Sequence, residues 1–414
     1  MSDSSPAPRL LARPFVLFAL GRACSTVGNQ VKNVAVGWQV YTLTGNPLDL
    51  GWIGLVHFAT AIIIGLTAGA SLDRLDRRKV WIGCQIAKLI CYSWLLFLTL
   101  SGMANLGLIL MAVAGLGAAQ GLELPATQSL LPLVVDRTHL PRAIATQSSV
   151  MEAATLTGPA IGGFLIAVDL SVGYGLCVVA SVTTWAVGMM MRLHYSQTFD
   201  QSLEPGLSRF LAGLRFLWAH PPIWGAITLD MVAVLLGGVT SLLPIFSRDI
   251  LHVGADGMGL LRAAMSLGAL TCAALLARWP IRRYGGRIMF GAVALFGLAT
   301  IGFSLSTNFY LSCALMIVMG IADEISVFSR ATLVQLSTPD EVRGRVSAVN
   351  GIFITTSNQL GEFESGATAA LFGVVPAAVL GGVGTLLVAG LWAYWFPALR
   401  QVEDLTKGVA ISGK

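Results

Sequence analysis

Leu140-Pro141-Arg142-Ala143-Ile144-Ala145-Thr146-Gln147 and Arg343-Gly344-Arg345-Val346-Ser347-Ala348-Val349-Asn350 are two basic punctuation marks, each leading into an apolar span. When Arg142 is laid on Arg345, Gly158 falls on Gly361 and Gly163 on Gly366. A repeat at that distance divides the chain into two related halves of a membrane protein, an arrangement typical of transporters.

Working outward from these marks, composition gives the same reading. Charged residues are only 11% of the 414 while apolar ones reach 55%, far from a soluble average. Apolar windows of about 20 residues, enough to cross a hydrocarbon core, recur roughly twelve times. They fall near 14–43, 50–72, 80–100, 105–129, 142–167, 172–192, 222–247, 256–278, 287–306, 308–333, 346–369 and 375–396. Lipid offers no partner to a free backbone group and no alternating barrel pattern is present, so every span is expected to be helical. The expected fold class is an all-α membrane protein with twelve transmembrane helices in two pseudo-symmetric six-helix halves. The expected divisions are an N-terminal half over 1–192, a cytoplasmic linker over 193–220, and a C-terminal half with a cytoplasmic tail over 221–414.

Arginines and lysines cluster in alternate connections: Arg74, Arg77, Arg78 and Lys79, then Arg137 and Arg142, then Arg278, Arg282, Arg283 and Arg287, then Arg343 and Arg345. The intervening connections around Gly45–Asp49, Ser101–Asn105, Ala167–Ser171 and Ser306–Asn308 carry no basic residue, and only Arg248 breaks the pattern. This places the basic loops and both termini in the cytoplasm. The net charge of +5 follows from that asymmetry and from anionic headgroups, with no need for nucleic acid. The first span is too long and lacks a small-residue cleavage site, so it reads as a retained helix and not as a signal peptide. Within the linker, Leu207, Phe210, Leu211, Leu214 and Leu217 against Arg209 and Arg215 give a short amphipathic surface helix. Cys24, Cys84, Cys91, Cys177, Cys272 and Cys313 sit inside apolar spans without metal-ligand spacing, which assigns them to packing.

Ionisable side chains inside spans are the informative minority, each costing roughly 2.5–3.5 kcal/mol on insertion scales unless paired or wet. Arg22, Asn29 and Asn33 fall on one face of the first helix, with Ser25, Thr26 and Lys32 beside it. Gln120, Glu123 and Thr127 do the same on the fourth. Asp230 lies in the seventh, and Asp323, Glu324 and Arg330 in the tenth. These spans occupy equivalent places if each half comprises two three-helix units, so Arg22, Asn29, Asn33, Gln120, Glu123, Asp230, Asp323 and Arg330 are expected to line one substrate cavity. The competing reading makes them structural ion pairs. Asp230, Glu123 and Asp323 lead the candidates for proton carriage, followed by Glu152 and Glu324. His57 and Arg262 lie in the second and eighth spans, where His57 reads as a helix-contact histidine.

Gly69-Ala70-Ser71-Leu72-Asp73-Arg74-Leu75-Asp76-Arg77-Arg78-Lys79 places an acid at a helix end and a dense cationic run in a tight loop. Gly69, Asp73, Arg74, Arg77 and Arg78 are the candidate cytoplasmic gate, with Arg77 expected on helix C-terminal carbonyls. The string resembles the loop signature of the major facilitator superfamily, Gly-x-x-x-Asp-Arg-x-Gly-Arg-Arg/Lys, with Asp76 standing where that pattern has Gly. The resemblance implies the facilitator fold and alternating access. The second-half counterpart, Arg278 to Arg287, keeps the cations, lacks the Asp, and reads as a topology signal.

Gly158-Pro159-Ala160-Ile161-Gly162-Gly163 is similar to the Gly-Pro-x-x-Gly-Gly motif of facilitator antiporters, in which Gly158, Pro159, Gly162 and Gly163 form a kinked, close-packed segment; this resemblance implies export. In the eleventh span, Asn358, Glu362 and Glu364 stand within Ser357-Asn358-Gln359-Leu360-Gly361-Glu362-Phe363-Glu364-Ser365-Gly366. That string is similar to the enterobactin exporter group within the drug:proton antiporter branch. It implies expulsion of a catecholate siderophore across a bacterial inner membrane, while related members move macrolides and other drugs.

The expected activity is therefore secondary-active, proton-exchanging export of an enterobactin-type siderophore, with a multidrug or macrolide pump as the alternative and a nutrient importer as a further competitor. No nucleophile constellation, metal cluster or phosphate-binding loop marks an enzyme or a direct ATP drive, and no cofactor is expected. The implied partners are a small-molecule cargo, protons and membrane lipid, with a monomer as the working unit and periplasmic or outer-membrane components as possible recipients of cargo.

Overall fold

A computed structural model describes residues 13–72, 76–135, 139–191, 206–281 and 283–402. Six long helices precede a linker: α1 (Arg13–Thr44), α2 (Pro47–Leu72), α3 (Arg77–Ser101), α4 (Leu106–Val134), α5 (Leu140–Val168) and α6 (Leu170–Met190). The short α7 (Gly206–Trp218) follows, then α8 (Pro221–Leu236), a single turn α9 (Leu243–Ile245), α10 (Gly254–Arg278), α11 (Gly285–Leu305), α12 (Phe309–Leu336), α13 (Asp340–Phe372), α14 (Val374–Trp395) and the turn α15 (Pro397–Arg400). Among the described residues, ten stretches are long and apolar enough to cross a membrane, with Pro221–Ile250 taken as one. The polar-rich α1 and α13 complete the twelve spans. They fall outside the apolar set because they carry Arg22, Asn29, Lys32 and Asn33 in one and Asn358, Glu362 and Glu364 in the other.

The seventh span departs from expectation. It is not one helix over 222–247: α8 stops at Leu236, passes through Gly237 and Gly238, and resumes as a 3-10 turn at Val239–Leu242, α9, and a π turn at Phe246–Ile250. Two adjacent glycines are poor helix formers, and their lack of side chains is used. A Cβ on Gly238 would lie 2.4 Å from Ser365 Oγ and 2.9 Å from the Gly361 carbonyl oxygen, so α13 leans into the break.

The helices pack as two units. In the first, α1 up to Val36 joins α2 from Ala59 onward and α3 to α6. A Cβ on Gly121 would sit 2.3 Å from the Ala61 carbonyl oxygen, so α2 and α4 touch backbone to backbone. Gly158 and Gly162 of α5 press on α1, where Cβ atoms would meet Gln30 at 2.5 Å and Val31 at 3.1 Å. Gly163 is buried, and α5 continues helically through Pro159. A core of Phe15, Phe18, Trp81, Leu130, Ala143 and Met191 closes one end.

In the second unit, α7 to α15 are joined by Gly37–Phe58 from the ends of α1 and α2. Here α10 and α12 repeat the α2–α4 contact, with a Cβ on Gly268 falling 2.2 Å from the Ile317 carbonyl oxygen and one on Gly320 falling 2.1 Å from that of Met265. Gly361 of α13 abuts Val234 and Leu235 of α8, as Gly158 of α5 abuts α1. The offset read from the sequence thus reappears as equivalent helix contacts. The amphipathic α7 lies on α13, its Gly213 against Arg345, while Leu217 enters a core with Ile223, Ile227, Val334, Val346 and Val349.

Candidate functional site

In the first unit the polar side chains of α1, α3 and α4 converge on Glu123, which is 5% exposed. Its Oε1 accepts from Ser25 Oγ at 3.1 Å and from Gln85 Nε2 at 2.8 Å. Its Oε2 pairs with the Lys88 ammonium, which also donates to Ser25 Oγ at 3.1 Å. One turn along α4, Thr127 accepts from Arg22 Nη1 at 2.9 Å and donates its own proton to the Glu123 carbonyl oxygen at 2.9 Å. A buried ion pair is tolerated when further hydrogen bonds occupy the remaining lone pairs, and Ser25 and Gln85 do that here.

The sequence reading brought Arg22, Glu123 and Thr127 together and missed Lys88 and Gln85. The signal was present, because a lysine at the middle of a span costs as much as an arginine or an acid. The other expected residues are placed differently. Asn33 is exposed and donates to Gln30 Oε1 at 3.4 Å, away from the cluster. Asn29 and Gln120 are half-buried, while Glu152 of α5 is exposed and engaged elsewhere.

In the second unit, Asp230 Oδ2 pairs with Arg330 Nη2 at 3.2 Å, and Arg330 Nη1 donates to Asn350 Oδ1 at 3.1 Å. The carboxylate of Asp230 borders a narrow cleft lined also by Phe296, Asp323, Ser326 and Thr385. Asp323 is half-buried at that cleft, and Glu324, the next residue, is buried with partners of its own. On α13, Asn358 is exposed, whereas Glu362 stands against Gly54, its Oε2 2.8 Å from where a Cβ on that glycine would be, and within electrostatic reach of Arg262. Glu364 accepts from Thr368 Oγ1 at 2.9 Å. The two acids therefore point to different neighbours, as residues two apart on a helix must.

Of the candidate gate, Gly69 lies in α2, and Asp73 and Arg74 lie outside the described residues. Asp76, the departure from the loop pattern, caps α3 by accepting from the amides of Arg78 at 2.9 Å and Lys79 at 3.3 Å. The carbonyls at the end of α6 are bound by Arg78, with Nε to Gly188 at 2.9 Å and Nη2 to Met189 at 2.6 Å. Arg77, expected in that role, donates to the Ser129 carbonyl oxygen of α4 at 3.4 Å. Among the described residues no group of three His, Cys, Asp or Glu side chains is placed to hold a metal.

Paired charges buried inside bilayer-spanning helices, in two units with matching helix contacts, define a membrane transporter. The chain belongs to the major facilitator superfamily, whose family description matches residues 18–361. It is 26% identical over 403 residues to the enterobactin exporter EntS of Escherichia coli O6:K15:H31 (strain 536 / UPEC), covering 95% of this chain and 94% of that one. It is 25% identical over 413 residues to the multidrug efflux pump Tap of Mycolicibacterium fortuitum, covering 95% and 98%. Among solved structures, a bacterial homolog of the human lysosomal transporter Spinster has a similar fold, with TM-score 0.71, 15% identity and coverage of 99% of this chain and 100% of that one. A bacterial homologue of the iron transporter ferroportin does too, with TM-score 0.67, 17% identity and coverage of 93% and 99%.

Proposed function

We propose that this transporter is a secondary-active exporter of the bacterial inner membrane that exchanges protons for a small-molecule cargo leaving the cytoplasm. The observation that carries this reading is the pair of buried ion pairs, Lys88–Glu123 and Arg330–Asp230. An acid held by a breakable partner in a low-dielectric interior changes its proton affinity whenever cargo or conformation disturbs that partner. The absence of a phosphate-binding loop from the sequence supports gradient drive. The preferred cargo is a siderophore of the enterobactin type, supported by the similarity to EntS and by the eleventh-span string. The alternative, a multidrug pump, is supported by the comparable similarity to Tap.

In this reading the halves over 1–192 and 221–414 work by alternating access, and the linker over 193–220 and both termini are cytoplasmic, as the basic connections favour. The carrier works as a monomer and hands its cargo to periplasmic or outer-membrane components.

Proton flux in proteoliposomes tests the exchange. Addition of enterobactin, a macrolide or a hydrophobic cation on the cytoplasmic side should evoke proton movement in the opposite direction, and Asp230→Asn should abolish it. Cargo movement with no accompanying proton flux would refute the exchange. Siderophore secretion under iron starvation, compared with antibiotic tolerance in the same deletion strain, assigns the cargo.

A further inference from the structure

The two units carry opposite charge in their interiors. Among the described residues of the first unit, the charged side chains buried or half-buried at mid-span are Arg22, Lys32, Lys88 and Glu123, three cations against one carboxylate. In the second they are Asp230, Asp323, Glu324, Glu362 and Glu364 against Arg262 and Arg330, an excess of acid. Excess charge of one sign inside a span is costly unless a counter-charge is delivered to it.

The cations of the first unit are not equivalent. Lys88 makes the ion pair with Glu123, the one buried carboxylate among the described residues of this unit, and Lys32 has partners of its own beside Cys177; Glu123 reaches Arg22 only through space, beyond ion-pair distance. Arg22 is different. Its Nη1 donates to a neutral hydroxyl, Thr127 Oγ1, and no carboxylate among the described residues lies within ion-pair distance of it. Thr127 is itself 2% exposed and spends its proton on its own helix, so it turns a lone pair to Arg22 and fixes the guanidinium. Arg22 is half-buried and keeps four of the five donors of a guanidinium beyond that bond. Arg330, the obvious cation of the second unit, is already bound by Asp230 and Asn350.

We infer that Arg22 is the cargo-anchoring residue and that it takes an anionic oxygen, a carboxylate or a deprotonated hydroxyl, while Lys88 makes it available by occupying Glu123. This rests on the exporter reading only in calling the ligand cargo. Lys88 is a positioning residue: without it, Glu123 turns its charge on Arg22 and occupies the anchor from within. A planar guanidinium suits a bidentate oxygen anion, and a lipophilic cation would meet net positive charge at this face. An anion leaving the cell and a proton entering it both move charge with an inside-negative potential, so the assignment adds drive to export.

The test is binding to the full chain in lipid nanodiscs, using 2,3-dihydroxybenzoate as anionic probe, catechol as neutral probe and tetraphenylphosphonium as cation. The wild type should prefer 2,3-dihydroxybenzoate. Arg22→Gln should weaken that binding about 10-fold or more, the scale of a charge-assisted hydrogen bond, and leave the other two probes unaffected. Arg22→Lys should recover part of the loss, which separates a missing charge from a misfolded protein, and Lys88→Gln should weaken the anion with Arg22 intact. Equal anion binding by Arg22→Gln, preference of the wild type for tetraphenylphosphonium, or no binding of the anion overturns the assignment. Proton flux in proteoliposomes is scored separately: anion binding without flux removes the exchange and leaves the anchor, and flux evoked by the cation alone does the reverse.

Discussion

The phenol of Tyr41, at the end of α1, donates a hydrogen bond to the carboxylate of Asp249 in the π turn that closes the interrupted seventh span. Arg248 reinforces the tie, its Nη1 donating to the Tyr41 carbonyl oxygen at 3.4 Å and its guanidinium lying 5.7 Å from the centre of the Tyr41 ring. Gly51 and Gly54 of α2 rest on Phe363 and Glu362 of α13, and Trp52 meets the Phe363 ring edge-on at 5.6 Å. Residues Gly37–Phe58 are thereby sewn to the second unit.

Removing the phenol hydroxyl should loosen that seam. A hydrogen bond to a charged group contributes about 1.5–3 kcal/mol, and with Asp249 47% exposed the lower end or less applies. Tyr41→Phe should speed amide exchange at the last turn of α1 and leave α4 unchanged. Unaltered exchange at that turn would show that the glycine contacts hold the segment alone.

The Lys88–Glu123 pair should behave as a coupled unit. Lys88→Met takes the ion-pair partner from a buried carboxylate and should cost up to about 3–5 kcal/mol, less what a turn of Glu123 toward Arg22 restores, whereas Lys88→Met with Glu123→Met removes both charges and should regain most of that loss. Thermal unfolding in detergent reads the difference. A double variant as unstable as the single one would mean that the partners contribute independently.

Backbone contact between α10 and α12 makes a sharp contrast among glycines. Gly268→Ala forces a methyl against the Ile317 carbonyl oxygen at 2.2 Å, and overpacking of this kind costs about 1–3 kcal/mol. Gly291→Ala, with nothing within 4 Å of the added carbon, should stabilise α11 by up to about 1 kcal/mol through helix propensity. Opposite shifts in melting temperature are expected, and shifts of the same sign would contradict the packing.

Acid should uncap α6. Asp169 accepts from the Ser171 hydroxyl and from its amide at 2.7 Å, and these bonds hold its carboxyl below the usual aspartate range. A depressed folded value means that the cap contributes fully above the unfolded value of about 3.9 and is lost as pH falls through the lower folded one. The melting difference between wild type and Asp169→Ala should therefore be constant near neutrality and shrink only at more acidic pH. A difference that already fades near pH 6 would point to another group.

The fold was legible because lipid leaves helices no alternative: runs of apolar residues, the basic loops and the Gly158–Gly361 offset located every span. Glu123, Asp230 and Arg330 were legible for the same reason, as charges too costly to stand at mid-span without purpose. Lys88 hid in an otherwise apolar third span whose periodicity offered it no polar companion except Gln85, one turn before it. The break at Gly237–Gly238 was written in the residues, yet hydropathy runs unbroken across it, since glycine interrupts a helix without adding polarity. Asp76 shows the converse: the sequence marks it only as a departure from the loop pattern, and its use as a cap becomes visible with the amides of Arg78 and Lys79.

Gly121 against Ala61, and Gly268 and Gly320 against Ile317 and Met265, bring pairs of rods so near that neither can slide or roll without steric collision. Each pair is a riveted plank. Flexing must then be borne by members without rivets, each plank travelling as a single piece.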